Sequence, residues 1–217
     1  MTASNIATPK IPTIEARPVP EKVSDQIERW LASDSDKTLG GLIDMFQEKS
    51  FALVFILLLA VPALPLPTGG ATHVFEIIAV LVALQLVVGR DKIWLPQRWR
   101  RVDLGAGGGR TRFIGGLMKV IRWVERFSRP RFTFLFDHAA SNTVFGLLVI
   151  AGCVAAFAAP PFTGLDTLPS LGVVLLSLGV LLEDVVVVVL ALVVGVAGVL
   201  LELVLGKAAI QGIGNLF

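Results

Sequence analysis

"VPALPLPTGGATH", residues 61–73, sets three prolines, two glycines and two threonines inside one of the most apolar stretches of the chain. Proline removes a backbone donor and glycine admits left-handed geometry, so this run ends one helix and frees the start of another. The apolar pieces on either side, residues 51–64 and 74–88, are each shorter than the roughly 20 helical residues that cross a hydrocarbon core about 30 Å thick. A chain that goes in through one piece and returns through the other must reverse inside or near the far edge of a membrane. The expectation is a helical hairpin, spanning or re-entrant, whose irregular loop is covered by protein or by a watery cavity.

Composition places the whole chain in the same setting. With 54% hydrophobic and 17% charged residues in 217 and a mean hydropathy of +0.78, it is too apolar for an ordinary soluble domain. The apolar residues concentrate in 51–88, 144–162 and 171–205. The first 22 residues, with Pro9, Pro12, Pro18 and Pro20 and no apolar run, read as a disordered cytosolic tail without a secretory signal. Residues 23–217 read as a single membrane domain. The one cysteine, Cys153, allows no intramolecular disulfide and no cysteine-built metal site, and no metal or cofactor is expected.

The net charge of +2 conceals an asymmetry. Residues 90–131 hold twelve of the nineteen Lys and Arg against the acids Asp91, Asp103 and Glu125. Beside membrane segments such a cluster marks the cytoplasmic side and meets lipid headgroups, and nucleic-acid binding is not expected. The predicted location is a bacterial inner membrane, crossed several times, with the N-terminus and basic centre cytoplasmic and the C-terminus opposite.

Val23, Ile27, Trp30 and Leu31 share a helical face, as do Leu39, Leu42, Ile43 and Phe46, which predicts two short amphipathic helices. A third stripe, Phe113, Leu117, Val120, Ile121 and Val124, is opposed by Lys119, Arg122, Arg126 and Arg129 and is expected on the membrane surface, after a flexible "GAGGG" joint at 105–109. A second hairpin emerges when the chain is laid on itself with an offset of about 94, uncertain by one. Pro67 then meets Pro161, Gly70 meets Gly164, Thr72 meets Asp166 and Leu84 meets Leu178. The fold class is therefore all-α: a polytopic membrane protein whose two hairpins form an internal repeat, with amphipathic interfacial helices. Repeat 1 runs over about 38–96, the basic linker and interfacial helix over 97–131, repeat 2 over about 141–184 and the last membrane helix over 185–205. Gly195 and Gly198 would let that helix pack closely on a neighbour, within the chain or in a homodimer.

Four stretches carry a resemblance to a known family: "PALPLPTGG", then "ALQLVVGR" with Gln85 and Gly89, the exit "WLP" followed by "RWRR", and "LPSLGVVLLSLGVLLED" in the second half. From about residue 39 to 198 the chain resembles the ExoD family of bacterial membrane proteins. Val185 stands where that family tends to carry a glycine. The resemblance implies a role in exopolysaccharide synthesis or export and in tolerance of alkaline conditions, with polysaccharide-synthesis proteins as partners. It brings no catalytic residues.

Site residues are read one by one. Pro65, Pro67, Gly69 and Gly70 build the loop, and Glu76 lies one turn into the following helix, where an acid is either a macrodipole cap or a functional carboxylate held at depth. His73 is a proton relay or a polar interface residue. Gln85, alone among apolar neighbours, is interhelical glue or part of a polar cavity. Asp166 occupies the second loop, and Glu183 and Asp184, which point about 100° apart on a helix, are expected at a solvated interface. Trp94, Arg98, Arg100 and Arg101 form a lipid or headgroup surface. No nucleophile elbow, zinc helix, P-loop or dinucleotide fingerprint is present, so no catalytic residue is assigned. Three functions compete. They are a small transporter or ion-coupled protein with a watery cavity lined by Pro67, Gly69, Glu76, Gln85 and Asp166, a scaffold of polysaccharide machinery with a dry core, and a lipid-modifying enzyme.

Overall fold

The computed structural model describes residues 22–33, 36–64, 71–104, 108–129, 131, 136, 139–159 and 164–214. Pro65, Pro67, Gly69 and Gly70 lie outside these. Among the described residues the chain is all-helical, with two isolated backbone bridges, Thr38 to Asp103 and Arg131 to Asp184.

Two apolar faces pair at the start. Helix α1 (Val23–Ala32) buries Val23, Ile27 and Trp30, and α6 (Gly108–Phe127) buries Met118, Ile121 and Val124, the contact being tied by Ser24 donating to the Glu125 carboxylate and by an Arg122–Glu28 ion pair. Helix α6 begins at Gly108, so the expected glycine joint is in part already helical. Thr38 caps α2 (Leu39–Phe46) by accepting from the Gly41 amide at 3.2 Å, and Arg100 of α5 (Gln97–Arg100) grips Asp44 of α2 through both carboxylate oxygens at 2.6 and 2.9 Å.

The interior is built by α3 (Ser50–Leu59), buried on nearly every side, α4 (His73–Val87), α7 (Ala139–Ala158) and α8 (Thr167–Leu181). Helix α3 packs on α4 and α8, α4 on α7, and α7 on α8, while α9 (Val185–Gly214) lies along α8. Phe55 and Phe145 meet edge to face at 5.6 Å in the middle of this bundle. Helices α4 and α8 are each 15 residues long, and the residues preceding them, Thr72 and Asp166, are 94 positions apart. Each helix is followed two residues on by a left-handed residue, Gly89 (φ 83°) and Glu183 (φ 54°). The turn before α9 thus takes its left-handed residue at Glu183, and Val185 opens the helix.

Two stretches, Ala140–Ala158 and Val185–Leu205, are long and apolar enough to cross a membrane. Neither is hidden as the core helix of a soluble protein would be: Val144, Leu147 and Val154 on α7, and Val189, Val193, Val196 and Leu200 on α9, face outward. Such contiguous apolar surface suits lipid rather than water. Helices α4 and α8 rise only about 22 Å and present Ile77, Leu81 and Leu84 of α4 outward in the same way. Helix α9 is longer than the sequence suggests, continuing past Glu202 to Gly214.

Candidate functional site

The residues that precede α4 and α8 touch. The Thr72 hydroxyl donates to the Asp166 carboxylate at 3.4 Å. One turn into each helix a polar side chain is sealed from solvent, Glu76 on α4 and Ser170 on α8, both 1% exposed. Their amides close the first turns onto the carbonyls of Thr72 (3.3 Å) and Asp166 (3.1 Å). The side chains are not satisfied. Glu76 Oε2 meets the His73 ring Nδ1 at 2.8 Å, but Glu76 Oε1 and Ser170 Oγ have no hydrogen-bond partner.

This geometry weighs the two readings of Glu76. A capping carboxylate accepts from first-turn amides, whereas this one spends one oxygen on the His73 ring and leaves the other unused. A buried, half-satisfied carboxylate costs more than it returns to folding, and each such group asks for a reason outside stability. His73 is half-buried, and its ring packs on Phe157 of α7 at 4.9 Å. Three further groups surround the cluster. Asp166 and the buried thiol of Cys153 lie near enough to feel the Glu76 charge, and Glu202 on α9 lies near Asp166. Sequence reasoning missed Ser170, Cys153 and Glu202. The offset of 94 was a signal for Ser170, which it pairs with Glu76. Among the described residues no three His, Cys, Asp or Glu side chains converge as metal ligands would.

Other predicted residues fall elsewhere. Gln85, nine residues and about 13 Å along α4 from Glu76, is not brought to it. Its amide clamps the chain after α4, accepting from the Trp94 amide at 2.8 Å and donating to the Trp94 carbonyl at 3.2 Å. Glu183 and Asp184 are not both solvated. Glu183 pairs with Lys49 at 2.6 Å, while Asp184, 1% exposed, caps α9 by accepting from Val186 N and also accepts from Arg129 N, each at 2.9 Å. Burial pushes the Asp184 carboxyl up, but those two amides and Arg131 outweigh it and hold it below the usual carboxylate range. The Trp94, Arg98 and Arg101 side chains are exposed as a headgroup surface requires, whereas Arg100 is committed to Asp44.

A cavity of about 430 Å³ opens at the end opposite Glu76, where Lys49, Arg90, Asp91 and Glu183 rim a floor of Phe51, Leu86, Phe145 and Val180. Between cavity and cluster the bundle is closely packed: Gly146 lies against Ala83 and Val87, and Gly152 against Val173.

The family profile described as "Exopolysaccharide synthesis, ExoD" matches residues 23–204. The chain is 29% identical to "Protein ExoD" of Rhizobium meliloti (strain 1021) over 181 residues, which cover 81% of this chain and 73% of that one. It is 28% identical to an uncharacterized protein, slr1875, of Synechocystis sp. (strain ATCC 27184 / PCC 6803 / Kazusa) over 150 residues, 67% and 68% of the two chains. No solved structure matches it.

Proposed function

The chain belongs to the ExoD family, whose name ties it to exopolysaccharide synthesis, and from that premise we propose that it is a small ion-coupled transporter of the bacterial inner membrane. One observation carries the reading: Glu76 is buried with an unpartnered oxygen at the point where two half-helices begin. Half-helix ends meeting within a bundle are where transporters bind coupling ions, because the freed backbone and its dipoles face a shared space.

The architecture supports it. Helices α4 and α8 of equal length, matched first residues in contact and matched left-handed exits are what an internal repeat of two hairpins produces. With the basic segment cytoplasmic, the cavity rimmed by Lys49 and Glu183 opens inward, and the Thr72–Asp166 contact closes the outer end.

The close-packed middle of the bundle favours a second reading, a scaffold for polysaccharide machinery that moves nothing. A scaffold has no use for a half-satisfied buried carboxylate. Ion flux measured in vesicles reconstituted with purified protein separates the two. Glu76→Gln abolishes flux while membrane abundance, and melting in sodium-free buffer, stay near wild type, because the neutral amide removes a buried charge without changing shape. Loss of abundance in step with flux makes Glu76 structural, and wild-type flux in the variant refutes the transport site.

A further inference from the structure

The junction carries more oxygen than a proton needs. Glu76 and Asp166 bring two carboxylates, Thr72 and Ser170 two hydroxyls, and Glu202 a third acid nearby. We propose that Glu76 and Ser170, with Thr72 and Asp166 beside them, hold one monovalent metal cation of sodium's class. The proposal rests on the transport reading and names its coupling ion.

Charge decides the sign. Each helix N-terminus supplies about half a positive charge, so α4 and α8 together offset about one of the two carboxylates. Among the described residues the basic group in contact with the cluster is His73, and its ring is turned to Glu76 Oε2. Glu202, partly exposed on α9, stands outside this pair; at the junction itself about one negative charge remains, which repels an anion and matches one monovalent cation, whereas a divalent ion would leave excess charge of the other sign. Chemistry decides the class. The two atoms without partners are an oxygen of a carboxylate and an oxygen of a hydroxyl, both 99% removed from solvent by their residues' burial. Hard oxygen donors without thiolate or a second imidazole suit alkali and alkaline-earth ions over transition metals. A proton on Glu76 would leave the Ser170 hydroxyl still unused. Asp166 and the less buried Glu202 then mark the way out toward the end of α9, an acidic approach that concentrates cations.

The probe is sodium chloride against lithium, potassium and choline chlorides at equal ionic strength and fixed pH, with the melting temperature of the full-length protein in detergent as the reading. A ligand that binds the folded state raises the melting temperature as its concentration passes the dissociation constant. Wild type is expected to show a saturable rise with sodium and none with choline. Ser170→Ala should weaken the apparent affinity about tenfold, the loss of one ion–oxygen contact, and Glu76→Gln should remove the rise. Without salt, Ser170→Ala should melt at or above wild type, because it deletes an unsatisfied hydroxyl. Equal melting in all four salts overturns the proposal, as does a sodium effect that both variants keep. Flux separates the two levels of argument: flux lost in Glu76→Gln but indifferent to sodium leaves the transporter standing and refutes the cation. Sodium-stabilised protein with wild-type flux in Glu76→Gln refutes the transporter.

Discussion

Adding one methyl group to α8 at Gly172 should loosen the protein, while adding the same group across the interface at Gly195 should not. A Cβ built on Gly172 meets Gly195 Cα at 2.7 Å, Gly195 N at 2.9 Å and the Ala191 carbonyl oxygen at 3.3 Å, all backbone atoms that cannot swing aside. A Cβ built on Gly195 finds Gly172 Cα at 3.9 Å, an ordinary contact. For Gly172→Ala the helices must part by roughly half to one ångström, which forfeits a quarter to a half of each affected dispersion contact. Such overpacking costs about 1–3 kcal/mol, against which the better helix propensity of alanine returns about 1 kcal/mol. Gly172→Ala should therefore lose up to about 2 kcal/mol, and Gly195→Ala should gain up to about 1 kcal/mol. Gly198→Ala should behave like Gly172→Ala, since its Cβ would sit 2.8–2.9 Å from Leu168 Cβ and from Pro169 Cδ and N. Denaturing-detergent titration of purified protein in mixed micelles, followed by helical circular dichroism, orders the three variants. Gly172→Ala as stable as Gly195→Ala would refute the α8–α9 packing, and with it the placement of Glu202 near Asp166.

Asp184→Asn should destabilise by about 2 kcal/mol near neutral pH, since a charged, buried acceptor of two backbone amides is replaced by a weaker one. The Asp184 carboxyl lies below its ordinary value in the folded state, so its contribution is complete above the unfolded value of about 3.9 and disappears as pH falls through the folded one. Thermal melts of variant and wild type should hence differ most above about pH 5 and converge in acid; a gap that does not narrow in acid refutes the cap. Gln85→Leu should cost about 1 kcal/mol through the lost, solvent-exposed bonds to the Trp94 backbone yet leave vesicle flux intact, and flux loss at unchanged stability would move Gln85 into the pathway. In a Cys153→Ala background, Asp103→Cys and Leu64→Cys should label from opposite faces of intact inner-membrane vesicles, and labelling of both from one face refutes the topology.

Composition and spacing were enough for the all-helical class, the amphipathic α1, α2 and α6, and the two stretches long and apolar enough to cross a membrane. These rest on local quantities: how apolar a stretch is, how its apolar positions repeat, and where proline and glycine interrupt it. Glu76 and His73, three residues apart on one helix turn, were also legible, because i and i+3 side chains meet by helix geometry alone. What each polar group bonds to across the chain was not. Gln85 was read as interhelical glue or part of a cavity and instead holds the Trp94 backbone. Asp184 looked solvated and is buried as a cap. Ser170 carried no sign of its own in an apolar run, and it gains meaning only beside the Thr72–Asp166 contact that joins residues 94 positions apart. Glycine packing divided in the same way: Gly195 and Gly198 read alike in sequence, and only the approach of α8 makes Gly198 and Gly172 intolerant and Gly195 forgiving. The reason is that periodicity assigns a residue to a face, whereas the partner on the other side of that face is chosen by how the helices pack, and an unsatisfied polar atom is defined only by what that packing leaves out.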